Sequence, residues 1–311
     1  MFETITVLPP GAGPVPDARS TPRSSLPRPD VRIDETLVRR LLRRQGPEFL
    51  QEPLVRAGEG WDNVTFRMGL PEAGAGGLAV RLPRRAVAAR LLSVERRWLP
   101  EVARGFPLPV PLPLLQGRPD AGYPYPWCVV PWVTGAPADE ARLPATEAPV
   151  LAEALRILHR PAPVDAPRSP FRGVPLTDRA SGVEARLGSL GLTDLLPAWR
   201  QALVPVGADD GVWIHGDLHA RNVIVREGRL AGIIDWGDLT VGDPATDLAA
   251  AWTVLPDPEA RETFLSAYGA SGLERARARG WAVLLACGMA DSGDPVHERL
   301  GLAIAQRIRG G

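Results

Sequence analysis

Three side chains in two neighbouring stretches have the types needed to move a phosphoryl group: Asp217, Asn222 and Asp235. The stretches read Val212-Trp-Ile-His215-Gly-Asp217-Leu-His219-Ala-Arg-Asn222-Val-Ile-Val225 and Leu230-Ala-Gly-Ile-Ile-Asp235-Trp-Gly237-Asp238. A carboxylate can accept the proton of an attacking hydroxyl, and Asp217 is assigned that work. The phosphates of a nucleotide carry several negative charges, which Mg²⁺ bridges through oxygen ligands. The amide oxygen of Asn222 and the carboxylate of Asp235 offer such ligands from opposite sides of a hairpin. Protein-side catalysis of phosphoryl transfer is mostly positioning and charge neutralisation, and this trio supplies both. Apolar triplets flank the polar loop, so it is expected at the ends of two buried strands.

His215, Asp217 and Asn222 also repeat the order and spacing of the protein-kinase catalytic loop H-R-D-x-x-x-x-N, with Gly216 in place of arginine. Asp235-Trp236-Gly237 stands where a kinase has D-F-G. A competing reading takes His215-x-Asp217-x-His219 as a zinc-hydrolase cluster. It leaves Asn222 and the Asp235 hairpin unexplained, and only His159 and His297 remain as further imidazoles. His215 is therefore read as a buried orienting residue. His219 either contacts substrate or satisfies a loop carbonyl, and Asp238 joins it as a candidate to meet the acceptor.

The combined block closely resembles the aminoglycoside phosphotransferase and choline kinase superfamily. The resemblance rests on His215-Gly-Asp217-Leu-His219-x-x-Asn222, then Ile234-Asp235-Trp236-Gly237, then Gly242-Asp243-Pro244-x-x-Asp247-Leu248-Ala249. Three motifs in order are far more specific than any one. The resemblance extends from about Leu54 to the last helices and leaves out the segment before Asp34. It implies an α+β, protein-kinase-like, two-lobed fold with a small antiparallel-sheet N-lobe and a mostly helical C-lobe. It implies a kinase that takes ATP or GTP as phosphoryl donor with Mg²⁺ and a small-molecule hydroxyl as acceptor, an aminoglycoside-like or other antibiotic. A metabolic kinase acting on an amino alcohol, sugar or nucleoside-like acceptor, and a catalytically silent nucleotide-binding regulator, are the alternatives. Asp247 either caps the helix-like run after Pro244 or braces the catalytic loop, and the matching residue of the family implies a supporting role, whereas Asp243 reads as a turn residue. Relatives meet cationic antibiotics with carboxylates on the C-terminal helices, where Asp257, Glu259, Glu262, Asp291, Asp294 and Glu298 are the candidates here.

The N-terminal half carries matching signals. Gly58-Glu-Gly60-Trp-Asp-Asn63, between two extended runs, resembles a phosphate-covering loop whose missing side chains let backbone N–H groups approach a nucleotide. A third kinase glycine is absent, and Asn63 stands near its place; a plain hairpin turn has the same look. Arg81 occupies the position of the kinase β3 lysine, and Glu95 lies where the helix glutamate pairs with it. The alternative for Arg81 is a solvated cation at a strand edge. The backbone near Val130–Val133 is placed to meet the purine base.

The elements that must hold these residues follow from pattern. Residues 1 to 30 are rich in Pro, Ser and Gly and read as a loose tail, with a nucleotide-binding lobe over 31–133 and a helical lobe carrying the catalytic loop and acceptor site over 134–311. Helical spacing over Asp34–Arg44, with Asp34 as cap, precedes extended runs at Pro53–Ala57, Val64–Leu70 and Leu78–Leu82, the last two joined by a Gly-rich turn at Pro71–Gly77. A helix over Ala86–Arg104 and extended runs at Pro111–Gln116 and Tyr125–Val133 complete the first half. Beyond the connector Val133–Pro137, helices are expected over Ala148–His159, Gly182–Leu190, Thr193–Val204, Pro244–Leu255, Pro258–Tyr268, Leu273–Met289 and Pro295–Ile308, with a Pro-rich excursion at 160–175.

Composition narrows the class. The formal net charge is zero, so the basic footprint of a nucleic-acid binder is missing. All 36 basic residues are arginine, so any task usually given to lysine falls to a planar guanidinium. Two cysteines, Cys128 and Cys287, cannot build a disulfide framework, no signal-peptide pattern opens the chain, and no apolar run approaches the ~20 residues of a membrane span. A cytoplasmic protein with no membrane partner is expected. If Asp217 is the base, Asp217→Ala lowers the transfer rate by ~10²–10⁴ while nucleotide affinity stays within a few-fold; steady-state kinetics beside nucleotide titration checks both halves.

Overall fold

The computed structural model describes residues 27–69, 77–120, 122–204 and 211–310. Most of the expected tail, and all of the expected Gly-rich turn except Gly77, lie outside the described residues. Helix α1 (Glu35–Gln45) buries Leu37, Val38, Leu41 and Leu42 along one face, and the Leu37 amide donates to the Asp34 carboxylate at 2.9 Å as the expected cap. Strands β1 (Leu54–Glu59), β2 (Asn63–Met68), β3 (Leu78–Pro83), β4 (Leu115–Gly117) and β5 (Trp127–Pro131) form an antiparallel sheet in the order β1-β2-β3-β5-β4.

The two-residue period of the strands divides this sheet into two faces. Val64, Phe66, Met68, Val80, Leu82, Trp127 and Val129 join the α1 residues in one buried cluster. Ala79, Cys128 and Val130 point the other way and pack with Leu92 of helix α2 (Ala86–Val102). Arg81 alternates onto this second face, which lines the cleft. The expected strand over Pro111–Gln116 shrinks to Leu115–Gly117, because Pro107, Pro109, Pro111 and Pro113 have no N–H to give to a ladder.

The remainder is helical around two small ribbons. Strand β6 (Ala136–Pro137) pairs with β8 (Val223–Arg226), and β8 pairs with β9 (Arg229–Ile233), while β7 (Val212–Ile214) pairs with β10 (Thr240–Gly242). Helices α3 (Ala148–Leu158), α4 (Ala180–Ser189), α5 (Leu196–Ala202), α6 (Ala245–Leu248), α7 (Ala250–Thr253), α8 (Pro258–Tyr268), α9 (Gly272–Ala290) and α10 (Pro295–Arg309) surround them. The central helix is α9, apolar on most of its circumference and packed against α5, α6, α7 and α10. Both cysteines are buried packing residues. The expected helix over Pro244–Leu255 is two short ones, α6 and α7. Asp243, expected as a turn residue, is buried: it caps α6 through the Ala245 amide at 3.1 Å and receives two bonds from Arg277 of α9, at 2.6 and 3.2 Å.

The Pro-rich excursion is fastened to β10. The Val241 amide and the Thr240 hydroxyl both donate to the Pro167 carbonyl at 2.9 Å, the Ser169 amide donates to the Thr240 hydroxyl at 2.7 Å, and the Asp243 amide donates to the Gly173 carbonyl at 3.0 Å. Two backbones meet here without side chains, since a Cβ at Gly242 would lie 2.5 Å from the Gly173 Cα. Gly242→Ala is therefore expected to push the excursion off β10 at a cost of ~1–3 kcal/mol, read as a lowered denaturant midpoint.

Candidate active site

The polar loop after β7 begins with two backbone amides in the core. The His215 and Gly216 amides donate to the two carboxylate oxygens of Asp247 at 2.6 and 2.9 Å. Asp247 is fully buried, and His159 approaches it at 3.2 Å while its other ring nitrogen meets the Tyr268 hydroxyl at 2.8 Å. Gly216 sits at φ +84° with the position of a Cβ 2.5 Å from the Asp238 carbonyl oxygen, so only glycine fits where kinases carry arginine. The His215 ring lies 4.8 Å from Trp236; its Nε2 donates to the Ile234 carbonyl at 3.0 Å and its Nδ1 accepts the Asp217 amide at 3.3 Å. With both ring nitrogens facing main chain, His215 orients the loop and cannot serve a zinc cluster. The Thr253 hydroxyl donates to the Leu218 carbonyl at 2.7 Å and secures the next turn.

Asn222 and Asp235 are neighbours because the Ile234 amide donates to the Asn222 carbonyl at 2.9 Å, where β8 and β9 run together. The Asn222 side-chain amide donates to the Asp217 carbonyl at 2.9 Å, which leaves its oxygen for a cation. Asp235 adopts a left-handed backbone, φ 60°, and its side chain is about half exposed (54%) on the cleft. A half-exposed carboxylate beside an amide oxygen is a donor set that fits Mg²⁺. His219 approaches Asp217 at 3.5 Å and Asn222 at 3.3 Å, and its Nδ1 accepts the Arg221 amide at 3.3 Å.

Across the cleft, Arg81 is buried and paired with Glu95 at 2.5 Å, and its second terminal nitrogen reaches Asp235 at 3.3 Å. Burial opposes its charge, but Glu95 and Asp235 outweigh that and hold the guanidinium charged above its ordinary value. Burial pushes the Glu95 carboxyl up, with Arg81 pulling it back. The solvated-edge alternative for Arg81 fails because β3 is an inner strand.

Arg172, in the Pro-rich excursion, donates to Asp217 at 2.8 Å and to Asp238 at 3.2 Å. Burial alone would raise the Asp217 carboxyl; Arg172 and then His219 reverse this and hold it well below the usual carboxylate range. For Asp238 burial prevails, reinforced by the charges of Asp217 and Asp235, and its carboxyl is raised despite Arg172.

These groups share one cleft of about 730 Å³, lined on one side by Gly58, Gly60, Asp62, Asn63, Arg81, Val130 and Val133, and on the other by Asp217, His219, Asn222, Asp235 and Asp238. A Cβ at Gly58 would meet nothing within 4 Å and one at Gly60 only the Asn63 carbonyl at 3.8 Å, so these glycines leave open space above the turn. Glu95, His215 and Asp247 lie behind the lining.

A model of the phosphotransferase enzyme family matches residues 53–281, most of the chain. The chain belongs to that family. An aminoglycoside 3'-phosphotransferase of Escherichia coli is 35% identical over 75 residues, 24% of this chain and 27% of the relative. The uncharacterized Bacillus subtilis protein YcbJ is 36% identical over 58 residues, 16% of this chain and 19% of the relative. The matched segments thus span about a quarter or less of these curated relatives. Among solved structures, the GDP complex of wild-type aminoglycoside 2'-phosphotransferase-IIIa aligns over 89% of this chain and 99% of its own, at 18% identity and a TM-score of 0.66. An apoenzyme structure of the macrolide 2'-phosphotransferase MphH from Brachybacterium faecium aligns over 86% and 97%, at 20% identity and a TM-score of 0.55. The fold is therefore the expected α+β, kinase-like one.

Around this cleft the sequence reading missed several lining residues. Arg172 lies 45 positions before Asp217, in an excursion with no periodicity to betray it. Arg179, Arg186 and His297 also line the cleft, whereas none of Asp257, Glu259, Glu262, Asp291, Asp294 and Glu298 does. Asp257 pairs with Arg142, Glu262 with Arg275, Asp291 with Arg186, and Asp294 caps α10. Because Arg172 depresses the Asp217 carboxyl, Arg172→Gln is expected to move its titration to higher pH, with the base lost earlier on acidification. An NMR titration of the Asp217 carboxyl against pH in both proteins checks the direction.

Proposed function

We propose that this protein is a Mg²⁺-dependent O-phosphotransferase that moves the γ-phosphoryl group of ATP or GTP onto a hydroxyl of a small molecule, an antibiotic or a compound of similar size. The observation that carries this reading is the convergence of Asp217, Asn222 and Asp235 on one wall of a cleft whose other wall presents Arg81 locked to Glu95. The nucleotides named for solved neighbours, GDP, ATP and ADP, support a nucleotide donor.

Asp217 is the catalytic base. Held ionised by Arg172, it accepts the proton of the acceptor hydroxyl as that oxygen bonds to the γ-phosphorus, and the bond from that phosphorus to the bridging oxygen breaks to release the nucleoside diphosphate. The low basicity that Arg172 imposes makes Asp217 chiefly an orienting acceptor early in the step. Asn222 and Asp235 would hold Mg²⁺, which neutralises phosphate charge and aligns the leaving group when bound. Arg81 presents a fork suited to two phosphate oxygens, and Glu95 fixes its direction. The open turn at Gly58–Asn63 covers the phosphates, and the backbone of Val130–Val133 meets the base of the nucleotide. His219 and Asp238 border the acceptor beside Asp217.

Incubation with ATP or GTP, Mg²⁺ and a panel of hydroxyl-bearing antibiotics and metabolites, followed by mass spectrometry, tests the reading; no phosphorylated product and no nucleotide binding would overturn it. Asn222→Ala and Asp235→Ala are expected to raise the Mg²⁺ concentration needed for half-maximal rate, Asp235→Ala the more, since a charged ligand outweighs a neutral amide on a divalent cation. An unchanged metal requirement in both variants would remove them from the metal site.

A further inference from the structure

The acceptor end of the cleft has a charge and an apolar character of its own. Beyond Asp217 and Asp238, its charged lining consists of Arg172, Arg179 and Arg186, and its apolar lining of Phe171, Leu284, Leu285 and Met289. Asp217 and Asp238 share the single guanidinium of Arg172, so the negative charge of this end is gathered at the reacting centre and not at the rim. Arg186 has Asp291 at 3.4 Å. Arg179 stacks over Phe171 at 5.5 Å and has no carboxylate within ion-pair distance among the described residues. None of the six acidic residues at the C-terminal helices lines the cleft, and Asp291 approaches it only as the partner of Arg186.

This wall is built, not incidental. Residues 167–173 are bonded to β10 at both ends, and the Phe171 and Arg172 amides both donate to the Ser169 hydroxyl at 3.1 Å, so Arg172 is aimed into the site by a fastened turn. Arg179 precedes α4 and Arg186 lies seven residues on, two helical turns along, so both guanidiniums reach the same rim. At the rim, Arg179 has no carboxylate partner among the described residues and Arg186 meets Asp291 only at 3.4 Å, so an anionic group finds guanidinium forks there, away from the Asp217–Asp238 pair.

We infer that the acceptor is a hydroxylated molecule with an apolar body and an anionic group, a carboxylate or comparable oxyanion, which docks on Arg179 and Arg186 while its hydroxyl points to Asp217. The inference rests on the phosphotransferase reading and deepens it. The apolar body packs against Phe171, Leu284, Leu285 and Met289. The anionic group pairs with the rim arginines, which present forks matched to two oxygens. Arg172 stays with Asp217 and Asp238, whose two carboxylates outnumber its single charge, so the anionic group lies away from the reacting oxygen.

Binding decides this independently of turnover. The protein, loaded with Mg²⁺ and a non-hydrolysable ATP or GTP analogue, is titrated with a panel of hydroxylated aryl and alkyl carboxylates, each beside its methyl ester, and with kanamycin. Saturation-transfer NMR and calorimetry supply the affinities. The expected result is that the carboxylates bind about 10-fold or more tightly than their esters, and that kanamycin does not displace them. The doubly charge-reversed variant Arg179→Glu/Arg186→Glu, whose sites are at the surface and whose fold is checked by its thermal midpoint, should lose the preference for the acids and gain affinity for kanamycin. Equal binding of acids and esters, binding of no carboxylate in the panel, or tighter binding of kanamycin by the unaltered protein would overturn the inference. Failure of the underlying reading has a different signature, since the nucleotide analogue itself would then not bind.

Discussion

The site depends on one buried carboxylate. Asp247, with no exposure to solvent, accepts the His215 and Gly216 amides and so joins the first residues of the polar loop after β7 to the helical core. A charge in that environment is tolerable only if hydrogen bonds replace its lost hydration, and two backbone N–H groups with His159 supply them. The dependence is mutual, because those two amides would otherwise be buried donors without acceptors. From this clamp the loop turns through Gly216, the His215 ring reaches across to the Ile234 carbonyl, and Asp217 arrives at the cleft beside Asn222. The Asp235 hairpin is thereby tied to the same anchor through His215.

Each wall of the cleft carries an arginine bridged between two carboxylates. At the donor side, Arg81 bridges Glu95 and Asp235, joining the inner sheet strand, the helix after it and the β9 turn in one ion-pair chain. At the acceptor side, Arg172 bridges Asp217 and Asp238. A guanidinium can bond two partners in one plane, which an ammonium does only as a point charge. Each arginine therefore fixes the relative position of two carboxylates. The two bridges flank the space where a phosphoryl group would pass between donor and acceptor.

Several of these relations were legible in the chain before any folding. His215-Gly-Asp217, Asn222 and Asp235 stand within about twenty residues of one another, and a hairpin between apolar triplets can bring them together only one way. Asp34, the heptad-like spacing of α1 and the alternation in β2 and β3 gave their elements correctly, because capping and periodicity are local. The run of prolines from 107 to 113 should have denied a strand there, and the lack of N–H donors is a local signal that the apolar pattern masked. The helix over Pro244–Leu255 divides at Ala249, where α6 ends and α7 begins; Asp247 turns inward to the loop after β7, and Asp243, which Arg277 holds from α9, bonds the first amide of α6.

What the sequence determined by itself was which candidate residues stand together, since Asp217, Asn222 and Asp235 lie close in the chain and their spacing is set by one turn and one hairpin. Only the tertiary structure decided what surrounds it. Arg172 reaches Asp217 because backbone bonds to β10 fold the Pro-rich excursion over the site, across 45 positions of chain. The acidic residues of the C-terminal helices look inviting as a list, yet α8, α9 and α10 pack so that arginines from the excursion and α4 take the rim instead. Local pattern fixes which residues share a face, but contacts between distant segments depend on how complete faces bury their apolar area, and that is settled only when all of them pack at once.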